Sequence, residues 1–329
     1  MDLSRRCFVQ RTAGALFAAG SAATLDRRGT LAVETEASLP IIDTHQHLWD
    51  LSKVHPPWLK PERPICRNYV MEDYLAAARG LNIVKAVYME IAVAPEDLMA
   101  EADYVLDLCR RRVGPTRAAV LGGRPGHPEF KQYISRFRDN PYVKGIRQII
   151  RSAGKGPSRL LSEEFVEGIR LLGALGMRFD ICVPPGLLPD AVKLVDLCPD
   201  TRFVLDHCGN ADPLAFGIRA GKTGSHDADT WRRDVAALAR RKNVVCKISG
   251  IVSRAPEDWK PEDLEPIVNH CLAVFGPKRV MFAGDWPVCT SRATLGQWVG
   301  ALETLVQDRP RAEQRRLFHD NAAAFYELG

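Results

Sequence analysis

What the 329-residue chain lacks narrows its function before any motif is weighed. No GxGxxG or GxxxxGK[ST] follows its first apolar segment, so the glycine-rich phosphate cradles of dinucleotide and NTP enzymes are missing. No Cys-x-x-Cys occurs. The nine cysteines are scattered, and an odd count argues against a complete disulfide framework. They read as buried thiols acting as small hydrophobes. Aromatics make up only 8%, and no basic stripe interleaves with them, which leaves no footprint for nucleic acid. No apolar run is long enough for a stable membrane span in the mature protein.

What is present points to a large α/β domain behind a leader. Residues 4–10 read Ser4-Arg5-Arg6-Cys7-Phe8-Val9-Gln10, followed by an uncharged, Ala/Gly-rich stretch from Thr12 to Leu25. A twin arginine, a mild apolar core and then small residues form a twin-arginine signal peptide. Residues 1–37 are therefore expected to be leader and short linker, and residues 38–329 the folded domain. The expected partners are the twin-arginine export machinery and a small-molecule substrate. The expected location is periplasmic or extracellular.

Eight apolar, strand-like runs follow, at 39–44, 83–89, 116–121, 142–150, 178–183, 202–205, 244–248 and 279–283. Most are continuous rather than alternating, as strands covered on both faces are. Helical spacing lies between them at 96–112, 165–175, 228–240 (after Asp227, a candidate N-cap), 264–275 and 295–306. Eight strand–helix units predict a parallel sheet closed into one (β/α)₈ TIM barrel.

Such barrels work at the C-terminal ends of their strands. The first run ends in Asp43-Thr44-His45-Gln46-His47, the sixth in Leu205-Asp206-His207, and the eighth in Ala283-Gly284-Asp285-Trp286-Pro287. Imidazoles at i and i+2 of an extended segment point to one side. His45, His47, His207 and Asp285 are thus candidate ligands for one divalent metal, zinc by ligand type. Asp285 and His207 are also the candidate catalytic pair. Glu90, Arg147, Asp180 and Lys247 sit on or after other strands, and Trp49 follows the HxH segment. All five are candidate substrate contacts. For Arg147 and Lys247 the alternative is an internal salt bridge with Asp180, Asp206 or Glu90, because a cation inside a barrel needs an anion. His55, His127, His226, His270 and His319 receive no site role.

With these residues in place, the chain resembles the amidohydrolase superfamily in its "amidohydrolase 2" branch over about residues 39–329. The resemblance rests on Ile42-Asp43-Thr44-His45-Gln46-His47-Leu48-Trp49-Asp50, Lys144-Gly145-Ile146-Arg147-Gln148, Leu205-Asp206-His207-Cys208-Gly209, Lys247-Ile248-Ser249-Gly250 and Gly284-Asp285-Trp286-Pro287-Val288. It implies a hydrolase that opens a small lactone, either a sugar lactone or a carboxylated one. It also implies at most one metal, since Asp180 stands where binuclear members carry a histidine. Some relatives in this branch need no metal. Rival readings are a metal-dependent decarboxylase on the same scaffold and a non-catalytic sugar-acid binding barrel.

Overall fold

A computed structural model describes residues 38–151 and 158–329; the expected leader lies outside the described residues. From Leu39 to Gly329 the chain is one compact unit. Its strands are β1 (Ile41–Gln46), β2 (Ile83–Met89), β3 (Thr116–Gly122), β4 (Val143–Ile149), β5 (Arg178–Cys182), β6 (Arg202–Leu205), β7 (Val244–Ile248) and β8 (Val280–Phe282). They form one parallel sheet in sequential order. Helices alternate with them, including Leu98–Arg111, Glu163–Ala174, Leu188–Leu197, Ala228–Ala239, Pro261–Phe275 and Leu295–Val306. This is the (β/α)₈ barrel that the sequence predicts. The caps follow local chemistry. Asp227 accepts from the Thr230 amide at 2.7 Å, and Ser162 accepts from Phe165 at 3.3 Å, each meeting a donor the helix cannot satisfy internally.

Two boundaries differ from expectation in a way that matters for the site. β1 runs through Gln46, so His45 lies within the strand rather than beyond it. Polar residues near a barrel mouth still find ladder partners: Gln46 pairs with Tyr88 and bridges to Trp286. β8 is only three residues long, because the chain leaves the ladder at the turn that carries Asp285.

The seam between β8 and β1 is therefore closed largely by side chains. Asp43 accepts from the amides of Gly284 at 2.7 Å and His45 at 3.0 Å and from the Tyr74 hydroxyl at 2.9 Å. Thr44 donates to the Phe282 carbonyl at 2.7 Å, and the His47 amide to that of Trp286 at 2.9 Å. At the opposite end, the barrel interior is filled by Ile42, Val87, Val120, Val204, Val245 and Met281, against which Ala322, Tyr326 and Leu328 of the C-terminal segment pack. With that end closed, access is left to the C-terminal mouths of the strands.

Candidate active site

A cavity of about 570 Å³ opens at that mouth, lined among others by His47, Arg147, His207 and Asp285. Each comes from a different strand end, so only barrel closure brings them together. The Asp285 carboxylate Oδ1 lies 3.5 Å from His47 Nε2 and 3.7 Å from His45 Nε2. The His45 ring centroid is 4.8 Å from that of His47 and 4.5 Å from that of His207. The three imidazoles and one acid placed together by the sequence reading thus meet in one small volume.

The backbone around them is strained. Asp285 has φ 53°. After β6, His207 (φ 55°), Cys208 (53°), Gly209 (70°) and Asn210 (56°) form a left-handed turn. Each non-glycine residue there costs roughly 1–2 kcal/mol, and such geometry persists where the surroundings over-determine it. They do so here. Trp231 Nε1 donates to the Cys208 carbonyl at 2.9 Å, Asn210 Nδ2 to that of Val183 at 2.9 Å, and Arg254 to Asn210 Oδ1 at 2.8 Å. His207 Nδ1 is 3.0 Å from Ser249 Oγ.

Electrostatics decide the protonation states. Burial pushes His45 well below the usual imidazole value and lowers His207 as well. Both rings are therefore neutral at neutral pH. Burial raises Asp285, but His207, His47 and Arg147 outweigh it, and the carboxyl sits below its ordinary value, ionised. Asp206, absent from the sequence-based candidates, is the hub beneath. Its oxygens lie 3.2 Å from Lys247 Nζ, 3.2 Å from Arg147 Nη1 and 3.6 Å from His45 Nδ1. Burial alone would raise it, yet Lys247, His45 and Arg147 hold it well below the carboxylate range.

Four of the candidate substrate contacts are engaged within the protein. Lys247 is fully buried and bonds Asp180 at 2.6 Å, so the internal salt bridge is what the fold builds. Asp180 is consumed by it. Glu90 is turned to Arg147, accepting from Nε at 2.6 Å. Trp49 is buried, with its Nε1 donating to the Arg67 carbonyl at 2.6 Å. None of the four lines the cavity. They hold Arg147, Asp206 and the wall in place. Arg147 does line it, while its Nη1 also donates to His45 Nε2 at 3.0 Å.

The cavity wall also includes residues the sequence reading passed over: Arg63, Arg151, Asn210, His226 and Arg254. His226 contributes surface rather than free nitrogens. Its Nε2 accepts from the Asp212 amide at 2.9 Å, and its Nδ1 lies 3.1 Å from the Asp227 carbonyl. A sequence signal existed only for Arg254, which lies on the loop leaving β7.

The donor set fits a metal ion. His47 Nδ1 lies 2.8 Å from the Met89 carbonyl, and its Nε2 lies 3.5 Å from Asp285 Oδ1. Such an outer hydrogen bond orients metal-ligating histidines. Ligand atoms from His45, His47 and Asp285 lie within 4.8 Å of one another, with His45 Nε2 also bonded by Arg147.

A (β/α)₈ barrel with a His-His-Asp donor set and an acid at its mouth has the architecture of a hydrolase. The sequence matches the Amidohydrolase family over residues 42–328, and the chain belongs to that family. It is 27% identical to an L-fucono-1,5-lactonase of Burkholderia multivorans, across 87% of this chain and 96% of the relative. It is 24% identical to an L-rhamnono-gamma-lactonase of Scheffersomyces stipitis, across 88% and 98%. A crystal structure of an amidohydrolase from Burkholderia multivorans with bound zinc superposes with a TM-score of 0.77 at 25% identity, covering 88% of this chain and all of the other.

Proposed function

We propose that this enzyme hydrolyses a small lactone bearing a carboxylate. The observation that carries the chemistry is the ionised Asp285 carboxylate, 3.5 Å from His47 and 3.7 Å from His45, beside a cavity of small-molecule size. Lactonases among the relatives support the bond broken. The cavity wall supports the carboxylate. Arg63, Arg151 and Arg254 line it, and among the described residues none of the three forms a salt bridge with an acidic partner.

Asp285 takes a proton from a water whose oxygen attacks the lactone carbonyl carbon. Arg147 and the neutral His207 face the oxygen on which negative charge grows. The ring carbon–oxygen bond then breaks, and the alkoxide recovers the proton from Asp285, leaving a hydroxy acid. A divalent ion held by His45, His47 and Asp285 would acidify the water and polarise the carbonyl.

The test is a screen of neutral and carboxylated lactones, followed by proton release at constant pH. Arg63→Gln is expected to raise KM about tenfold or more for a carboxylated lactone, the worth of a charged hydrogen bond, and to leave kcat and neutral lactones nearly unchanged, since Arg63 lines the cavity away from the His207 turn. Equal KM changes for both substrate classes would remove the carboxylate from the reading. Carbon dioxide as product would make the enzyme a decarboxylase. Tight sugar-acid binding without turnover would make it a binding barrel.

We further propose that the chain leaves the cytoplasm folded, on the support of the Arg5-Arg6 leader. Arg5→Lys with Arg6→Lys is expected to strand the protein in the cytoplasmic fraction. Export of that variant at the wild-type level would end this part of the reading.

A further inference from the structure

Next to His207, and outside the lining of the cavity, three thiols from three chain segments converge. Cys208 lies in the left-handed turn, Cys246 in β7 and Cys271 in the helix Pro261–Phe275. All three are fully buried, in the layer between barrel wall and helices. Their sulfurs lie within 4.8 Å of one another. A fourth donor faces two of them: the Lys247 carbonyl oxygen is 3.6 Å from Cys208 Sγ and 3.7 Å from Cys246 Sγ. The other described cysteines, Cys66, Cys109, Cys182, Cys198 and Cys289, belong to no such group.

We propose that Cys208, Cys246, Cys271 and the Lys247 carbonyl form a binding site for a soft divalent cation of the zinc or cadmium class, separate from the His45/His47/Asp285 set. The distances favour it. Zinc–sulfur bonds of about 2.3 Å and zinc–oxygen bonds of about 2.0–2.2 Å give tetrahedral sulfur–oxygen edges of about 3.6 Å. Those are the separations already present. The sulfur–sulfur edges of such a tetrahedron are about 3.8 Å, so the thiols need to draw in by at most about 1 Å. The donor set favours it too, since thiolate ligands select soft ions over magnesium or calcium.

Binding replaces protons. Three thiols and one divalent ion give one tris-thiolate complex and three released protons, with three metal–sulfur bonds formed and no change of oxidation state. The bound ion ties the strained turn of His207 and Cys208 to β7 and to the helix behind it. It thereby stiffens the support of an active-site imidazole without entering the reaction.

The probe is cadmium chloride added to the full, reduced chain. A thiolate-to-cadmium charge-transfer band in the ultraviolet is expected to saturate at one ion per chain, with proton release. The nitrogen and oxygen donors of the mouth give no such band, so the two sites are told apart even if the lactonase reading fails. Cys271→Ala suits a helix interior, and Cys246→Ala removes a different donor. Each is expected to lose the band or to weaken binding by about 100-fold or more, the upper end of what losing even an outer-shell partner costs. Should either variant misfold, X-ray absorption at the cadmium edge of the wild-type chain reads the same point, with three sulfur neighbours expected. Cadmium bound without a band, a band untouched in both folded variants, or a shell with fewer than three sulfurs would each overturn the proposal.

Discussion

Asp285→Asn is expected to fold and to lose roughly 10²-fold or more in turnover on any lactone the wild-type enzyme opens, the scale of a positioned acid–base group. Asparagine keeps the shape and the left-handed backbone that Asp285 adopts at φ 53°, a conformation Asp and Asn tolerate better than most residues. It removes the negative charge that His207, His47 and Arg147 stabilise, and with it the proton acceptor. The turn itself is held from elsewhere, by Asp43 accepting from the Gly284 amide, so the melting temperature should move little. Steady-state kinetics and thermal denaturation on one preparation separate the two effects. Wild-type turnover in this variant would take Asp285 out of the mechanism.

Gly250→Ala should be nearly as damaging, although Gly250 carries no functional group. A Cβ there would stand 2.4 Å from His207 Nδ1 and 2.5 Å from His207 Cγ, on a backbone with φ +67°. The contact is too short to absorb, so either the imidazole or the β7 loop must shift. Displacement of a catalytic group by about 1 Å costs on the order of 10²-fold, while overpacking costs about 1–3 kcal/mol of stability. The expected signature is a large fall in kcat/KM with the fold retained and His207 Nδ1 parted from Ser249. Full activity in a variant whose crystal structure shows His207 displaced would show that this ring position is not required.

The residues that were hardest to read share a physical cause. Local spacing identifies β6 and β7 to the residue, and it identifies the helix capped by Asp227, because burial on both faces and capping are short-range properties. It does not say which polar side chain at a strand end meets solvent. Lys247 and Arg254 lie seven residues apart around one strand end. The first is sealed against Asp180 and Asp206, and the second lines the cavity. Only the tilt and closure of the barrel separate them. Asp206 was legible as a strand-end acid but not as the hub for Lys247, Arg147 and His45, since its partners lie 59 positions away in one case.

From residue order came the eight-unit barrel and the His45, His47, His207, Asp285 candidates, because periodicity and strand-end chemistry are written locally in the chain; the family came from the resemblance of the motifs that carry those residues. Closure of the sheet decided the rest: the buried ion network under the mouth, the arginine-lined wall and the thiol trio next to His207. Those depend on distances between segments far apart in sequence, which no local pattern encodes.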